Sequence, residues 1–195
     1  EWEVAQLSKL LERDVITYHL DGNHGELYPR EEEFVSVGVP FLSANMMVNG
    51  VIDFTKTKYV TEERARQFRK GVAQDGDVLF AHNATVGPVS ILRTTLPYVI
   101  LGTTLTSYRC NQGRFHNYYL KYYMESPYFQ KQLQRIMKQT TRNQVPITAQ
   151  RKLYFVLPHI NEQKRIAEIL STVDEKLELE RKEKSRLEMV KRGLM

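Results

Sequence analysis

The side chains that could support catalysis are few and poorly placed in this sequence. It contains no GxxxxGK(S/T), GxGxxG or HExxH pattern, so neither a phosphate-cradling loop nor a paired-histidine zinc site is indicated. Its single cysteine, Cys110, excludes an internal disulfide and a thiolate zinc cluster. His19 and His24 are not at a spacing typical of metal ligands. We therefore expect no metal site, and a reducing cytoplasm is the expected compartment.

Other catalytic patterns are equally weak. Asp75-Gly76-Asp77 places two carboxylates close together, but a turn leading into the strand Val78-Leu79-Phe80 explains the same residues. The sequence lacks the Asn/Asp-Pro-Pro-aromatic signature of amino-methyltransferases and a clear nuclease pattern of Pro-Asp followed by (D/E)xK. No catalytic residue is predicted, and we expect a chain without enzymatic activity of its own.

Charge is distributed unevenly along the 195 residues, whose net charge is +5. Residues 109–152 contain nine basic side chains and one acidic side chain, whereas residues 1–63 contain five basic and twelve acidic side chains. Such a basic block favours a polyanionic partner, usually nucleic acid, although a solvated basic face without a partner has the same composition. No stretch reaches the ~18 uncharged apolar residues of a membrane helix.

Three polar loops carry the side-chain types that form hydrogen bonds with base edges. The first is His82-Asn83-Ala84-Thr85, the second is residues 140–144, and the third is the turn-rich segment around Asn49-Gly50. Each loop taken singly is also compatible with an ordinary solvated turn. The predicted DNA-contacting residues are Asn45, Lys56, Lys58, His82, Asn83, Thr85, Arg93, Arg142, Asn143 and Gln144.

The elements that must position these loops are both strands and helices. Runs rich in β-branched and aromatic residues predict strands at 35–42, 77–81, 86–92, 98–108 and 153–157. Helical patterns predict helices at 61–70, 115–124 and 127–138. Thr61 is the expected cap of the first helix and Ser126 that of the last. Irregular strand spacing argues against a regular βαβ series, so we expect an α+β fold.

The C-terminal segment predicts one long helix. Asn161 to Met195 contains no proline and mostly helix formers, with Asn161 as the expected N-cap and Gly193 as the expected stop. About 32 residues at a rise of 1.5 Å give a rod of about 48 Å. The chain therefore divides into a mixed α and β domain, residues 1–158, and a helix, residues 159–195.

Apolar residues recur along this helix at alternating steps of four and three, the heptad pattern of a coiled coil. The apolar members of this seam are Ile166, Leu170, Val173, Leu177, Leu187 and Leu194, and the polar members are Glu180, Lys184 and Lys191. A seam of this kind needs a second helix, and no other segment of this chain is long and amphipathic enough to supply one. We expect pairing with a helix of another chain, and folding back onto its own domain is the alternative.

The segment LPHINEQKRIAEIL at 157–170 resembles the conserved region of type I restriction-modification specificity subunits. In that family a proline ending the last strand is followed by Glu-Gln-Lys-Arg-Ile and a long coiled-coil helix. Upstream, GVPFL at 38–42, with GVID at 50–53, resembles the start of the family's target recognition domain. GDVLF at 76–80 and TVG at 85–87 resemble a strand and turn of the same domain.

The resemblance implies a protein that binds double-stranded DNA and has no catalysis of its own. In such subunits each target recognition domain reads one half of a bipartite DNA sequence. The helices act as a spacer and dock methyltransferase subunits, which bind S-adenosylmethionine, and a restriction subunit can join to cleave DNA. Members typically hold two recognition domains and two antiparallel helical regions, whereas this chain has one of each. The resemblance therefore implies a half-length form that pairs its helix in an antiparallel coiled coil. As a homodimer, it reads a symmetric split site.

Two other classes of function remain open from the sequence alone. One is an enzyme, such as a methyltransferase fragment, and the missing nucleotide-binding and catalytic motifs count against it. The other is a dimeric DNA-binding regulator or coiled-coil adaptor that has no methyltransferase partner, which shares the basic block and the long helix.

Overall fold

The computed structural model describes residues 1–139 and 143–193. Within these ranges the helices are α1 (Leu7–Glu12), α2 (Glu62–Ala65), α3 (Asn117–Glu125), α4 (Pro127–Met137), α5 (Ile147–Gln150) and α6 (Ile160–Gly193). The strands are β1 (Glu3–Gln6), β2 (Ile16–Asp21), β3 (Phe34–Val35), β4 (Val39–Leu42), β5 (Met47–Val48), β6 (Val51–Ile52), β7 (Lys58–Val60), β8 (Val72–Ala73), β9 (Val78–Asn83), β10 (Thr85–Ile91), β11 (Val99–Leu101), β12 (Leu105–Cys110) and β13 (Tyr154–Leu157). The expected α+β class is confirmed.

Two sheets form the centre of the domain. The four-stranded sheet has the order β10-β9-β12-β2 and is antiparallel throughout. The five-stranded sheet has the order β3-β7-β4-β11-β8, in which β4 and β11 are parallel. In addition, β1 pairs with β13 in a two-stranded ribbon, and β5 pairs with β6. Antiparallel pairing dominates, and the consecutive strands of the pairs β9–β10 and β5–β6 are joined by short turns.

Strand β9 lies between two hydrophobic cores. Val78 and Phe80 contribute to a core shared with the helices, whereas Leu79 and Ala81 contribute to a core between the two sheets. Successive side chains of a strand point to opposite faces, so a strand buried at every one of these positions must be covered on both sides. The layers therefore run helices, four-stranded sheet, five-stranded sheet. A smaller core that includes Phe68 covers the outer face of the five-stranded sheet.

The structure corrects two predicted strands. The predicted strand 35–42 is interrupted, because β3 ends at Val35 and β4 begins at Val39. Between them a Cβ on Gly38 would lie 2.2 Å from the carbonyl oxygen of Val60, so the backbones approach too closely for any other residue. The predicted strand 98–108 is two strands, β11 and β12, which belong to different sheets and are separated by a turn at 102–104.

Both predicted side-chain caps are present in the structure, although only one of the two capped helices has close to its predicted length. The Oγ of Ser126 accepts a hydrogen bond from the backbone N–H of Phe129 at 3.4 Å, and α4 follows close to its predicted bounds. Thr61 caps α2 by accepting from the N–H of Arg64 at 3.2 Å. The predicted helix 61–70 is nevertheless too long, since α2 has only four residues.

Helix α6 has 34 residues, which gives a length of about 51 Å. It begins at Ile160, and the carbonyl oxygen of His159 accepts from the N–H groups of Glu162 and Gln163 at 2.9 and 3.0 Å. The expected N-cap is therefore wrong, because Asn161 lies inside the first turn. Gly193 is the last described residue of the helix. No helix among the described residues combines the length and the apolar character needed to cross a membrane.

The first turns of α6 are attached to the domain by buried polar contacts. Gln163 is 1% exposed; its Oε1 accepts from the N–H of His116 at 2.9 Å, and its Nε2 donates to the carbonyl oxygens of Arg114 and Pro158. Farther along, Asp174 accepts from Lys121 Nζ at 3.3 Å and from the hydroxyl of Tyr122. In the described part of the chain, no hydrogen bond or ion pair joins the helix to the domain beyond Asp174.

We predict that Gln163→Ala lowers the free energy of unfolding by about 1–3 kcal/mol. The substitution leaves the buried carbonyl of Pro158 without its partner, which costs about 1–3 kcal/mol, whereas the part-buried His116 N–H and Arg114 carbonyl can bond to water instead. Urea denaturation checks the change, and Glu168→Ala at an exposed position of the same helix is the matched control. A Gln163→Ala protein as stable as this control would contradict the anchoring role.

Candidate nucleic-acid interface

The hairpin of β9 and β10 presents its tip at one end of the domain. Ala84 turns the chain with a φ of 63°, and Asn83 pairs with Thr85 across the turn. Beyond the tip the register shifts between Val86 and Val89, which marks a bulge in β10. Bulges increase local twist and are frequent beside functional sites. The loop predicted at residues 82–85 is therefore a structured turn with defined side-chain positions.

The described residues of the second predicted loop, Asn143 and Gln144, contact this tip directly. Asn143 and Ala84 are joined twice: the N–H of Ala84 donates to the carbonyl of Asn143 at 3.1 Å, and Asn143 Nδ2 donates to the carbonyl of Ala84 at 2.7 Å. Gln144 forms an antiparallel bridge with Asn83, and the N–H of Val145 donates to the carbonyl of His82 at 2.8 Å. Segment 143–145 is therefore joined to the hairpin by one isolated β-bridge and its flanking hydrogen bonds. Arg142 lies outside the described residues.

Thr104 links a third segment to the same end of the domain. Its carbonyl accepts from the N–H of His82 at 3.0 Å, and its Oγ1 accepts from the N–H of Ala44 at 2.8 Å. Asn45 follows Ala44 and is exposed, with its Oδ1 accepting from the hydroxyl of Ser43 at 2.6 Å. Thr104 was missed from the sequence because 98–108 was interpreted as one strand. Gly102 was the available signal for a turn.

Several polar side chains at this end remain available to a ligand. Thr85 and Asn143 are exposed, while Asn83 and Gln144 are half-buried. Among the described residues, the side chains of Asn83 and Gln144 form no hydrogen bond with the protein. Their amide groups can therefore donate and accept simultaneously toward a partner outside the chain. We call the side chains of Asn45, Asn83, Thr85, Asn143 and Gln144 the tip cluster.

A buried hydrogen-bond network supports the tip cluster from below. Gln150 is fully buried; its Nε2 donates to Thr106 Oγ1 at 3.0 Å and to the carbonyl of Val145 at 2.9 Å. Its Oε1 accepts from the Tyr108 hydroxyl at 2.6 Å and from His19 Nε2 at 3.1 Å. The network ties segment 143–150 to the central sheet. Sequence reasoning missed Gln150, because nothing in its local pattern distinguishes it from a surface glutamine.

His82 belongs to this network, which corrects its assignment as a DNA contact. Its side chain is 3% exposed, and its Nδ1 lies 2.9 Å from the hydroxyl of Thr106 in a hydrogen bond. Burial lowers the pKa of His82 to about 4 and that of His19 to about 4, because the charged imidazolium would lose its hydration. Both rings are therefore neutral at physiological pH, and His82 holds the strand rather than facing a ligand.

Three predicted cations lie apart from the tip cluster or are paired within the chain. Arg93 follows the far end of β10 and pairs with Asp75 at 3.2 Å. Lys58 pairs with Glu31 at 2.8 Å, and Lys56 lies 3.8 Å from Asp53. Arg93 therefore lies away from the hairpin tip, whereas Lys56 and Lys58 are paired with acidic residues of the chain.

Most of the predicted helix seam is exposed. Leu170 is 37% exposed and Leu187 is 58% exposed, with Val173 and Leu177 also open to solvent. Ile166 differs, because it is half-buried against the core of its own domain. Leu194 lies outside the described residues. The apolar stripe thus begins at the domain and continues along the free part of α6.

In the part of the chain that the structure describes, no group of three or more His, Cys, Asp or Glu side chains could hold a metal ion. Cys110 is buried, and burial raises the pKa of its thiol. Neither observation assigns a cofactor to this chain. Hydrogen bonding is the chemistry that the tip cluster offers.

The chain thus folds into a mixed α+β domain with a polar hairpin tip, followed by one long helix. The family described as Type I restriction modification DNA specificity domain matches residues 1–189. The chain therefore belongs to this family. It is accordingly a specificity domain of a type I restriction-modification system and not one of the catalytic subunits.

Two curated relatives come from Methanocaldococcus jannaschii. The type I restriction enzyme MjaVIII specificity subunit is 25% identical over 199 residues, and the putative type I restriction enzyme MjaX specificity subunit is 28% identical over 202 residues. Both alignments cover the whole of this chain and 44% of the relative. The chain thus spans less than half the length of these curated relatives.

A solved structure supports the fold. The HsdS subunit from Thermoanaerobacter tengcongensis superposes with a TM-score of 0.64 at 18% sequence identity. The superposition covers 91% of this chain and 38% of that subunit. At this level of identity the similarity establishes the shared fold of the domain and its helix.

We predict that stability falls as the pH is lowered from about 6.5 toward about 4. In the unfolded chain histidines titrate near pH 6.5, whereas the folded chain keeps His19 and His82 neutral down to about pH 4. The unfolded state therefore binds more protons across this window, and each histidine removes about 2 kcal/mol of unfolding free energy by pH 5.

Urea denaturation at about pH 7.5 and about pH 5 measures this difference in stability. His116 also has a lowered pKa because it is partly buried, so His82→Gln removes one of three contributing histidines and is expected to reduce the difference by about 2 kcal/mol. His159→Gln, at an exposed position, is the control and is expected to leave it unchanged. Equal stability of the wild-type protein at the two pH values would contradict the buried neutral histidines.

Proposed function

We propose that this chain is the DNA-reading and spacer-forming unit of a type I specificity subunit, which recognises one half of a bipartite site in double-stranded DNA. The observation that carries the proposal is the convergence of three chain segments in the tip cluster. All three contain residues that the sequence predicted as DNA contacts, namely Asn45, Asn83 with Thr85, and Asn143 with Gln144. Membership of the family supports the same interpretation.

The chemistry of the tip cluster suits direct base readout. Asn and Gln side chains can bond in a bidentate manner to the N6 and N7 atoms of adenine in the major groove, and Thr hydroxyls bond to several bases. The side chains of Asn83 and Gln144 are available for such bonds. Asn143 has a different role, since its amide is bonded to the carbonyl of Ala84 and therefore positions the turn.

The exposed seam of α6 supports pairing with the corresponding helix of a second copy. In this arrangement the helices run antiparallel, and a twofold axis relates two identical recognition domains, which read a symmetric split site. The polar seam residues Glu180, Lys184 and Lys191 then favour one register over others. A rod of about 51 Å spans about one and a half turns of B-DNA, whose turn measures about 34 Å.

The partners of this unit follow from the same proposal. Methyltransferase subunits carrying S-adenosylmethionine dock on the paired helices, and a restriction subunit joins them, as the type I relatives suggest. A cytoplasmic location is part of this proposal. A DNA-binding regulator without methyltransferase partners would share the tip cluster and the seam. Binding of an M subunit to the purified chain therefore separates the two functions.

We predict that Asn83→Ala and Gln144→Ala each relax recognition at one base position and weaken binding to the preferred sequence by about 1–3 kcal/mol. Selection of bound duplexes from a randomised pool, followed by sequencing, measures the change. Lys9→Ala, on the exposed side of α1, is the control. If both tip variants select the same sequences as the wild-type chain with the same affinity, the tip cluster does not read bases.

We predict that Leu170→Asp combined with Leu177→Asp produces a monomer, because two buried charges at a helix seam oppose pairing. Light scattering across a tenfold dilution measures the mass, which for the wild-type chain is expected to be twice the 22.9 kDa of one chain. Leu179→Asp with Met189→Asp, at exposed apolar positions outside the seam, is the matched control and is expected to remain dimeric. A wild-type monomer at every concentration, or a dimer that survives the seam variant, would exclude this pairing.

A further inference from the structure

Helix α4 presents an unpaired basic face to solvent. Lys131, Arg135 and Lys138 follow one another at helical steps of four and three residues, so their side chains lie on one face. All three are exposed, and Tyr128, one turn earlier, is 77% exposed. We call these four residues the α4 basic face.

The charge of the α4 basic face is not neutralised within the described part of the chain. None of its three cations forms an ion pair with a described residue, whereas many other exposed cations do, such as Lys9 with Glu12. The single acidic residue between 109 and 152 is Glu125, and it is paired with Lys121 at 3.1 Å. A structural role in the fold therefore does not account for these three positions.

The helix that carries this face is rigidly attached to the hairpin domain. Phe129 and Leu133, on its opposite side, are fully buried in the core that also holds Phe80 of β9. Gln130 Nε2 donates to the carbonyl of Gly87 in β10 at 3.2 Å. The basic face thus has a constant orientation relative to the tip cluster.

Chain length limits the distance between the two surfaces. Lys138 precedes Asn143 by five residues, and Asn143 is bonded to Ala84 at the hairpin tip. Five residues span at most about 18 Å even when fully extended. The end of the basic face therefore lies within about 18 Å of the tip cluster, a distance comparable to the ~12 Å width of the major groove together with its flanking phosphates.

We propose that the α4 basic face binds the phosphate backbone of the duplex beside the bases that the tip cluster reads. The inference rests on the proposed function and assigns to the α4 basic face a role that is separate from base readout. Lysine and arginine contacts to phosphates release condensed counterions, which contributes affinity and fixes the orientation of the protein but carries no sequence information. The tip cluster, which contains no cation, supplies sequence readout and not this electrostatic contribution.

The test removes three charges in the full chain as Lys131→Gln, Arg135→Gln and Lys138→Gln. Glutamine keeps a high helix propensity, and the positions are exposed, so the fold is expected to be retained, as circular dichroism verifies. Fluorescence anisotropy with a labelled duplex of arbitrary sequence gives the affinity at salt concentrations between about 50 and about 200 mM. The slope of log affinity against log salt is expected to decrease in magnitude by about 0.9 per lost contact, or about 2.7 in total.

A second triple variant controls for net charge. Lys9→Gln, Arg66→Gln and Lys182→Gln remove the same charge from exposed sites that are paired with acidic residues of the chain. This control is expected to keep nearly the wild-type slope. An α4 variant with the wild-type slope, or one that changes no more than the control, would overturn the proposal, as would a wild-type chain that binds no duplex at about 50 mM salt.

The outcome is distinguishable from a failure of the proposed function. If the α4 variant lowers the salt slope while Asn83→Ala and Gln144→Ala leave sequence preference unchanged, the backbone contact stands and base readout by the tip cluster is wrong. If the tip variants relax specificity while the α4 variant keeps its slope, the proposed function stands and the phosphate contact is excluded.

Discussion

The burial of β9 on both faces is the constraint on which the rest of the domain depends. Val78 and Phe80 belong to the core under the helices, and Leu79 and Ala81 belong to the core between the sheets. A slip of one residue would exchange these two sets of side chains between cores of different shape, so the register is strongly determined. Because the register is determined, the position of Asn83 at the hairpin tip is determined as well.

The same constraint explains why polar residues are buried beneath the tip cluster. β9 and β12 bring His82 and Thr106 together, and Gln150 joins them to segment 143–145 through hydrogen bonds that satisfy its amide. A buried network centred on a fully bonded amide is rigid, since breaking any bond to Gln150 leaves an unpaired polar group in a medium of low dielectric. A rigid support holds the amide side chains of the tip cluster in fixed positions, as the base readout that we propose would require.

The first turns of helix α6 form hydrogen bonds with the domain, whereas the later turns are exposed to solvent. Gln163 and Asp174 attach its first turns to the domain, whereas Leu177 and Leu187 remain exposed farther along. An isolated helix of this composition gains little stability from its own hydrogen bonds, so the pairing that we propose would stabilise the free part of α6. The basic face of α4 and the tip cluster lie in the domain, and in the proposed dimer the length of α6 would set the distance between the two domains.

Features that depend on neighbouring residues in the chain were predictable from the sequence: the long helix, the cap of α4 at Ser126, the strands of the β9–β10 hairpin and the basic block. Local hydrogen bonds and periodicity determine such features. The burial of His82 and Gln150, the division of 98–108 between two sheets and the separation of Arg93 from the tip were decided by the tertiary structure. Their partners lie many residues away, and no local pattern specifies which distant segments will share a core or a sheet edge.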